Sequence, residues 1–439
     1  MKTVLKRQVF YIQIQLESPL NVASGEDAWT DADILRDFEG KPFVPGSSLA
    51  GAMRSYVGER ENEWNLFGYS ADDIQGKMSP LFISDLTFDE DTVMGVRDGV
   101  GLNENKVAKA GSKYDMEILE TGLKGHFYLE LVIREGDDEE GMTSTLTSVF
   151  RGVQRGEIRL GQKKTRGFGA FKIVKLAVRK YGRENYLEYA DAYKASTWEN
   201  MPDQLESWLH MEMDSNRMVH IEVPLLMKGG ISIRQYAARK NEPDFVHLTS
   251  KGIPVIPGSS FAGAIRHRVK QILITLADEC VESVIRKNEV EGIVSRMFGS
   301  VSDNEGHASN IIISEARIQD AKPLTMVRTG ISRFESAVRD GALYKEKTYV
   351  EGYFKLEISV RKGKDPVDSN WMIGILLLAI KDIQNGYLAV GGQTAVGRGI
   401  FAPAVSEKYP EGVIFIDGKP GLENQFIAEA LNDLCADKG

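Results

Sequence analysis

The sequence predicts two tandem domains of the α+β class, and three observations lead to this prediction. The chain has 439 residues, more than one ordinary hydrophobic core accommodates. One long motif occurs twice, as KPFVPGSSLAGAMR at residues 41–54 and as IPVIPGSSFAGAIR at residues 253–266. Further strand, helix and glycine signals follow both copies in the same order, about 230 residues apart, and so long a period indicates duplicated domains rather than a solenoid. We expect the first domain at residues 1–200 and the second at residues 201–439.

The first domain begins with a strand and a turn into a helix. Apolar and polar residues alternate over residues 8–16, as in a half-buried strand. Pro45 and Gly46 then end a short extended run and turn the chain, and Ser47 and Ser48 are predicted to cap the helix that follows. Further signals predict strands at 81–86, 125–132 and 170–176 and a helix at 142–153.

The second domain repeats this order. Residues 220–226 correspond to the first strand, and Pro257-Gly258 with the caps Ser259 and Ser260 corresponds to the helix start. The remaining counterparts are Phe-Gly at 298–299 for 67–68, the strand 310–315 for 81–86, Val-Arg at 327–328 for 96–97, and the strand 352–358 for 125–132. Two such domains with β-α-β units fit a ferredoxin-like fold.

Two glycine-rich runs offer binding sites for anions. We call LGQKKTRGFG (residues 160–169) the first glycine loop and GGQTAVGRG (residues 391–399) the second. Glycines allow a close approach of backbone to a polyanion, cations neutralise it, and a helix N-terminus adds free N–H groups. The candidate anion-binding residues are Ser47, Ser48, Arg54, Arg97, Lys163, Lys164 and Arg166 in the first half and Arg234, Arg239, Lys240, Ser259, Ser260, Arg266, Arg328 and Arg398 in the second. A plain glycine-rich turn with solvated charges is the alternative interpretation of each loop.

An acidic loop at residues 21–33 is the candidate for catalysis. Carboxylates beside a phosphate-binding surface can hold Mg²⁺ or help to deprotonate a ribose hydroxyl, and both assist phosphodiester cleavage. Asp31 and Asp33 compete for this role in the first half, and Asp244 holds the corresponding position in the second. A solvated acidic loop without chemistry is the alternative.

Other function classes lack their motifs. The sequence has no Gly-x-x-x-x-Gly-Lys-Ser/Thr, His-Glu-x-x-His or Gly-x-Ser-x-Gly motif, and its six histidines show no paired metal-ligand spacing. Two cysteines, no signal peptide and no membrane-spanning run predict a cytoplasmic protein. The net charge of −9 argues against nucleic-acid binding over the whole surface but permits a locally basic groove.

The ordered set of motifs resembles the RAMP superfamily of CRISPR-associated proteins. Within it, the chain looks like a type III effector backbone subunit with two tandem domains, as in type III-D systems, and the resemblance covers both halves. It implies modified RNA-recognition-motif domains of ferredoxin-like fold that grip the backbone of a CRISPR guide RNA and insert a hairpin thumb into its duplex with target RNA. It also implies other complex subunits as partners, and metal-dependent cleavage of the target RNA by an aspartate before the Pro-Gly-Ser-Ser motif, with Mg²⁺ or another divalent cation.

The resemblance implies that Asp31 and Asp244 correspond to the family's catalytic aspartate. Asp31 has the family's spacing to an arginine–acid pair, Arg36-Asp37, whereas Leu248-Thr249 replaces that pair in a loop one residue shorter. Whether the second domain cuts therefore stays open. The first domain departs from the pattern in its thumb region, with GSKY at 111–114 where the second keeps GALY at 341–344.

Three alternatives remain. A scaffold subunit of the same family would bind RNA without cutting it. A guide-processing endoribonuclease would share the glycine loop, but such enzymes commonly use a histidine base, and none occurs in the matching early position. A duplicated metabolic enzyme would use the glycine loops for a phosphorylated small molecule.

Overall fold

The chain divides into two compact units. A computed structural model describes residues 2–25, 29–58, 65–71, 75–89, 92–103, 107–210, 217–236, 243–279, 286–300, 306–363 and 366–435. The first unit comprises Met1–Gly101, Ala108–Lys164 and Phe168–Asn216, and the second comprises Leu102–Val107, Thr165–Gly167 and Arg217–Gly439. Both units combine antiparallel sheets with helices, so the predicted α+β class is confirmed.

The first unit contains a central antiparallel sheet with helices on one face. Its strands are β1 (Val4–Leu16), β2 (Phe43–Val44), β3 (Tyr69–Ala71), β4 (Gln75–Lys77), β5 (Leu81–Ile83), β6 (Leu86–Phe88), β7 (Met94–Leu102), β8 (Ala108–Leu119), β9 (Lys124–Arg134) and β10 (Phe171–Tyr181). Its helices are α1 (Gly46–Val57), α2 (Glu139–Gln154) and α3 (Leu205–Leu209), with short 3-10 turns at Tyr186–Asp191 and Ala195–Thr197. A further 3-10 turn, Lys164–Arg166, lies at the boundary of the two units in the chain.

The order of these strands is that of a ferredoxin-like sheet. The sheet runs β10-β1-β9-β6-β2, and β5 also pairs with β9. Helix α1 follows the first core strand and α2 follows the third, which gives the β-α-β-β-α-β order. The paired strands β7 and β8 form a separate hairpin inserted before β9.

The core of the first unit lies between the sheet and its helices. Phe10, Ile12 and Ile14 alternate along β1 and are fully buried, in one hydrophobic cluster with Leu49 and Met53 of α1. This alternation explains why the segment forms a strand with one face turned to the helices.

The second unit has the same core arrangement. Its strands are β11 (Met218–Lys228), β12 (Gly230–Ile231), β13 (Arg234–Tyr236), β14 (Phe245–His247), β15 (Thr249–Ser250), β16 (Ile253–Ile256), β17 (Ile311–Ile313), β18 (Ala316–Arg317), β19 (Lys322–Arg328), β20 (Tyr344–Val350), β21 (Tyr353–Arg361), β22 (Ile400–Pro403), β23 (Phe415–Ile416) and β24 (Lys419–Pro420). Its helices are α4 (Gly258–Glu279), α5 (Val290–Phe298), α6 (Pro366–Gln384) and α7 (Glu423–Cys435). In its sheet β17 pairs with β21, β21 with β11, and β11 also with β22. This order matches β5, β9, β1 and β10 of the first unit.

The outer face of the first sheet is covered by the segment that follows β10. The Trp198 indole lies stacked over the Tyr11 ring of β1, with centroids 5.8 Å apart and ring planes at 17°. The indole N–H donates to the Ala192 carbonyl at 2.8 Å, and the Tyr189 hydroxyl donates to the Glu130 carboxylate at 2.8 Å. This face is therefore closed by the protein's own aromatic side chains.

On the outer face of the second sheet, the segment that follows β22 contacts one carboxylate of β11. Strand β23 pairs with β11, and the Tyr409 hydroxyl donates to the Glu222 carboxylate of β11 at 3.1 Å. The ring of Tyr409 packs edge-on against Phe415, with centroids 5.4 Å apart.

The covering segment should contribute measurably to the stability of the first unit. Trp198 is 1% exposed, so Trp198→Ala should lower the free energy of unfolding by about 3 kcal/mol through lost burial and a cavity. Urea unfolding followed by circular dichroism measures the change. Leu187→Ala, at a side chain that is 91% exposed, is the control and should change the stability by less than about 0.5 kcal/mol. A loss below about 1 kcal/mol in Trp198→Ala would contradict this packing.

Candidate functional site

Several loops leave the first sheet at the same end. In the antiparallel register, Gln15 near the end of β1 pairs with Lys124 at the start of β9, and Leu16 pairs with Phe171 at the start of β10. We call this the loop end of the sheet. The acidic loop, the base of the β7–β8 hairpin and the first glycine loop all adjoin it.

Asn21 joins these segments. It is fully buried, and its side-chain amide donates to the backbone carbonyls of Ala32 at 3.1 Å and Glu117 at 2.7 Å. Its own carbonyl accepts a hydrogen bond from the Gln162 N–H at 2.9 Å. One residue therefore fixes the acidic loop, the hairpin strand β8 and the first glycine loop relative to one another.

Ser232 joins the glycine loop to the hairpin strand in the second unit. Its carbonyl accepts from the Gly392 N–H of the second glycine loop at 2.8 Å. Its hydroxyl donates to the Glu346 carboxylate of the hairpin strand β20 at 2.8 Å.

The two glycine loops have the same backbone conformation. A Cβ at Gly169 would lie 1.9 Å from the Leu160 carbonyl oxygen, and one at Gly399 would lie 1.9 Å from that of Val390. Packing of the protein's own backbone therefore requires glycine at both positions. Positive φ angles occur at corresponding residues, namely Gly161, Lys163, Gly167 and Gly169 in the first loop and Gly391, Gln393, Gly397 and Gly399 in the second.

The acidic loop separates the two candidate aspartates. Asp33 is 4% exposed, and its carboxylate accepts hydrogen bonds from the Trp29 and Thr30 N–H groups and from the Thr30 hydroxyl at 2.8–3.0 Å. Asp31 is exposed. Its Oδ2 accepts from the Asp115 N–H at 2.9 Å, and its own N–H donates to the Asp115 carboxylate at 3.0 Å. Asp33 thus shapes the turn, whereas Asp31 presents its carboxylate at the surface.

The far end of the acidic loop is fixed by an ion pair with β8. Arg36 donates to both oxygens of the Glu117 carboxylate, at 2.9 and 2.5 Å, and the Ile34 N–H adds a third bond at 3.0 Å. Burial alone would raise the pKa of Glu117, but these hydrogen bonds outweigh burial and lower the pKa below its ordinary value. Arg36, the first member of the Arg36-Asp37 pair, therefore has a structural role in the loop.

Asp244 has the equivalent position in the second unit. It is exposed, and its Oδ2 accepts from the Lys345 N–H at 2.7 Å. Lys345 and Asp115 each directly follow the tyrosine at the matching place of the hairpin strand, Tyr344 and Tyr114. The two loop aspartates are therefore held by the same backbone contact.

The second loop contains a buried histidine. The His247 Nδ1 accepts from the Ile233 N–H at 3.1 Å, and its Nε2–H donates to the Val255 carbonyl at 3.1 Å. Burial disfavours the charged imidazolium and lowers the pKa of His247 to about 4. Nothing in the sequence pattern marked this residue, because a lone histidine in a strand has no distinctive spacing.

The layer beneath the loops differs between the units. Met116, Ile118 and Phe168 form a small buried apolar cluster in the first. Glu346, Thr348 and Arg398 are all buried in the second, and they lie at the corresponding points of the hairpin strand and the glycine loop.

Two arginines lie near the buried Glu346 carboxylate of the second unit. Glu346 accepts from the Gln393 side chain at 2.9 Å, and the Arg328 Nε lies 3.8 Å from it. Burial lowers the pKa of Arg398, and nearby Glu346 partly offsets this effect. Among the described residues, the Arg398 Nε has no hydrogen-bond partner. Two guanidinium groups around one carboxylate leave an excess of positive charge under the second glycine loop.

One prediction about the first residues of the helices is wrong. The N-cap of α1 is Pro45, without a side-chain cap, so Ser47 and Ser48 lie inside the first turn and the capping prediction is wrong. The Pro45 carbonyl already accepts from the Ser48 N–H at 2.9 Å, and the Gly46 N–H donates to Asp85 at 2.8 Å. The protein's own carboxylate therefore occupies the first donor of this helix.

The second motif is built in the same way. Helix α4 begins at Gly258, and the Ser260 N–H donates to the Pro257 carbonyl at 3.0 Å, so Ser259 and Ser260 also lie within the helix. A Cβ at Gly258 would lie 2.0 Å from the Ile313 carbonyl oxygen. The repeated glycine is thus required where the helix start meets the neighbouring strand.

The structure does not bring all predicted cations of the first half of the sequence together. Lys164 and Arg166 are exposed on the first glycine loop, and the Lys163 ammonium lies 3.5 Å from the Tyr114 ring centroid. Arg54 is exposed in the last turn of α1, far from the helix start. Arg97 is buried, 3.9 Å from the Glu120 carboxylate.

The predicted cations of the second unit are similarly divided. Arg234 is exposed and lies over the Phe245 ring, 4.4 Å from its centroid. Arg266 is half-buried on α4, 3.8 Å from the Glu291 carboxylate. Arg239 and Lys240 lie outside the described residues.

Neither a metal-type cluster nor a membrane-spanning helix is found in the part of the chain that the structure describes. No three His, Cys, Asp or Glu side chains come together there as a metal site. No helix in the described ranges is both long and apolar enough to cross a membrane.

Comparison with known proteins identifies relatives of both halves. A family model described as the RAMP superfamily matches residues 13–172 and residues 220–402. A protein of Streptococcus thermophilus named CRISPR system Cms endoribonuclease Csm3 is 28% identical over 193 residues, which cover 38% of this chain and 87% of that protein.

The stability of the second unit should depend on pH through His247. Its pKa is about 4 in the fold against an ordinary 6.5, so the unfolded chain binds the proton more tightly. The free energy of unfolding is therefore highest above pH 6.5, and it decreases by about 3 kcal/mol as the pH falls toward 4. Urea unfolding at a series of pH values measures it. His247→Gln should flatten this decrease, whereas His307→Gln, at an exposed histidine, should leave it unchanged. Equal pH dependence in all three proteins would contradict the assignment.

Proposed function

Because the chain belongs to the RAMP superfamily, we propose that it is a subunit of a type III CRISPR effector complex that binds guide RNA and cleaves the paired target RNA. Its partners are the guide RNA, the target RNA and the other subunits of the complex, in the cytoplasm. The endoribonuclease name of the Streptococcus thermophilus relative supports this class of activity. The observation that carries the proposal is the pair of exposed aspartates, Asp31 and Asp244, each held by the same backbone contact in its unit.

RNA binds at the loop ends in this proposal and not on the outer face of the first sheet. Single-stranded RNA commonly stacks on aromatic side chains exposed on the sheet of an RNA-recognition motif. Here the outer face of the first sheet is covered by the stacked Trp198 and Tyr11 rings. The exposed Lys164 and Arg166 supply positive charge at the loop end, where the glycine loop adjoins β10. A local basic region of this kind is compatible with the net charge of −9.

The loop aspartates are suited to two tasks in phosphodiester cleavage. An exposed carboxylate can accept the proton of a ribose 2′-hydroxyl as it attacks the adjacent phosphate. Asp31 is oriented for this by the two hydrogen bonds with Asp115, and Asp33 holds the turn around it. Asp244 is oriented by one hydrogen bond from Lys345.

The same oxygens fit a divalent cation. Mg²⁺ is usually bound through one or two carboxylates together with substrate phosphates and water, so it does not require a larger protein cluster. Asp31 supplies one exposed carboxylate in the first unit, and Asp244 supplies one in the second. A bound cation would supply charge neutralisation at the scissile phosphate.

The catalytic assignment is tested by removing the two aspartates. In the assembled complex with guide RNA, Asp31→Ala and Asp244→Ala should each reduce a separate cut in a labelled complementary RNA by about 100-fold or more, the contribution of a general base. The double variant should retain guide RNA binding. Glu184→Ala, at an exposed carboxylate in the segment that follows β10, is the control and should cut normally.

Survival of every cut in the double variant would reject catalysis by these residues. RNA binding with no magnesium-dependent cleavage by the parent complex would instead favour the scaffold alternative. Cleavage of the guide precursor in place of the target would favour the guide-processing alternative.

The glycine-loop contact is tested by the salt dependence of guide RNA binding. Lys164→Ala with Arg166→Ala should weaken binding and reduce the slope of log K against log salt concentration by about 1.4, because two phosphate contacts are lost on single-stranded RNA. The matched control is Lys180→Ala with Arg183→Ala, two exposed cations at the opposite end of β10. Equal slopes for both double variants would contradict a specific role of the loop.

A further inference from the structure

The residue after the hairpin tyrosine differs between the units. Asp115 and Lys345 have the same backbone role, because the N–H of each donates to the loop aspartate of its unit. Their side chains are opposite in charge and in hydrogen-bonding capacity. A carboxylate accepts hydrogen bonds, whereas an ammonium group only donates them.

This exchange changes how the loop aspartate is held. In the first unit, the Asp115 carboxylate accepts the Asp31 N–H at 3.0 Å while the Asp115 N–H donates to Asp31 Oδ2 at 2.9 Å. The two bonds close a ring that fixes both the backbone and the carboxylate of Asp31. In the second unit, Lys345 has no acceptor on its side chain and can supply only the backbone half of this ring to Asp244.

We propose that Asp115 is a positioning residue for Asp31, and that its replacement by Lys345 makes the second cut independent of the side chain at this position. The inference rests on the proposed function of the two aspartates. Asp115 acts by accepting one hydrogen bond, and this defines which substitutions preserve its role. Asparagine retains a carbonyl oxygen that accepts the Asp31 N–H and loses only the charge, whereas alanine removes the acceptor.

The test compares the two cuts within the same reaction. Each complex contains one guide RNA and one form of the full-length chain: the parent, Asp31→Ala, Asp244→Ala, Asp115→Ala, Asp115→Asn or Lys345→Ala. An end-labelled complementary RNA is then cut in excess Mg²⁺. Asp31→Ala and Asp244→Ala assign the cuts to the units. In each lane, the cut assigned to the unaltered unit then serves as an internal standard for assembly and target binding.

Asp115→Ala should slow the first cut about tenfold or more at saturating complex, with target affinity unchanged, since an oriented hydrogen bond to a reacting group is lost. Asp115→Asn should stay within about threefold of the parent, and its pH profile should keep the parent shape. Lys345→Ala should leave the second cut within about twofold, because the backbone N–H that holds Asp244 is retained.

Each contrary outcome identifies what fails. If Asp31→Ala and Asp244→Ala leave both cuts intact, the proposed function itself is wrong. If they remove the cuts but Asp115→Ala leaves the first cut at the parent rate, the positioning role is wrong. An equal loss in Asp115→Asn and Asp115→Ala would overturn positioning by a hydrogen bond and assign the effect to charge. A loss of the second cut in Lys345→Ala would overturn the proposed independence of the second unit.

Discussion

The loop end of each sheet depends on one buried polar residue that joins segments distant in the sequence. Asn21 satisfies the carbonyls of Ala32 and Glu117 and receives the N–H of Gln162, so three chain segments share a single anchor. Buried polar groups without partners are costly, and this network both satisfies them and sets the geometry. Ser232 provides the corresponding anchor in the second unit with a shorter side chain. The exposed aspartate of each unit is a consequence of this framework.

Duplication preserved the backbone framework and changed the side chains beneath it. The apolar cluster of Met116, Ile118 and Phe168 fills the space that a charged network around Glu346 occupies in the second unit. Both solutions support glycine loops of the same conformation, because backbone packing at Gly169 and its counterpart sets that conformation. The chemistry near the loop is therefore free to differ between the two units while the loop itself stays constant.

Much of the fold was predictable because the sequence contains two versions of each element. The repeated strands, helix starts and glycine loops fixed the α+β class, and local periodicity identified β1 and α1. Contacts between distant segments were not predictable. Asp31 and Asp33 have equivalent local patterns, and only the turn at Thr30 buries one of them. The capping prediction failed because Pro45 extends the chain up to the helix, while a carboxylate distant in sequence, Asp85, meets its first N–H.

The two loop aspartates therefore have a common position and unequal support. A hydrogen bond from a backbone N–H is available whatever the side chain, so the contact to Asp31 and Asp244 survives the exchange of Asp115 for Lys345. The second bond of the first unit requires an acceptor side chain and does not survive it. Backbone contacts consequently determine where a carboxylate is presented, and side-chain contacts determine how tightly it is oriented. If cleavage is sensitive to orientation, the two units of one chain have different requirements for the same reaction.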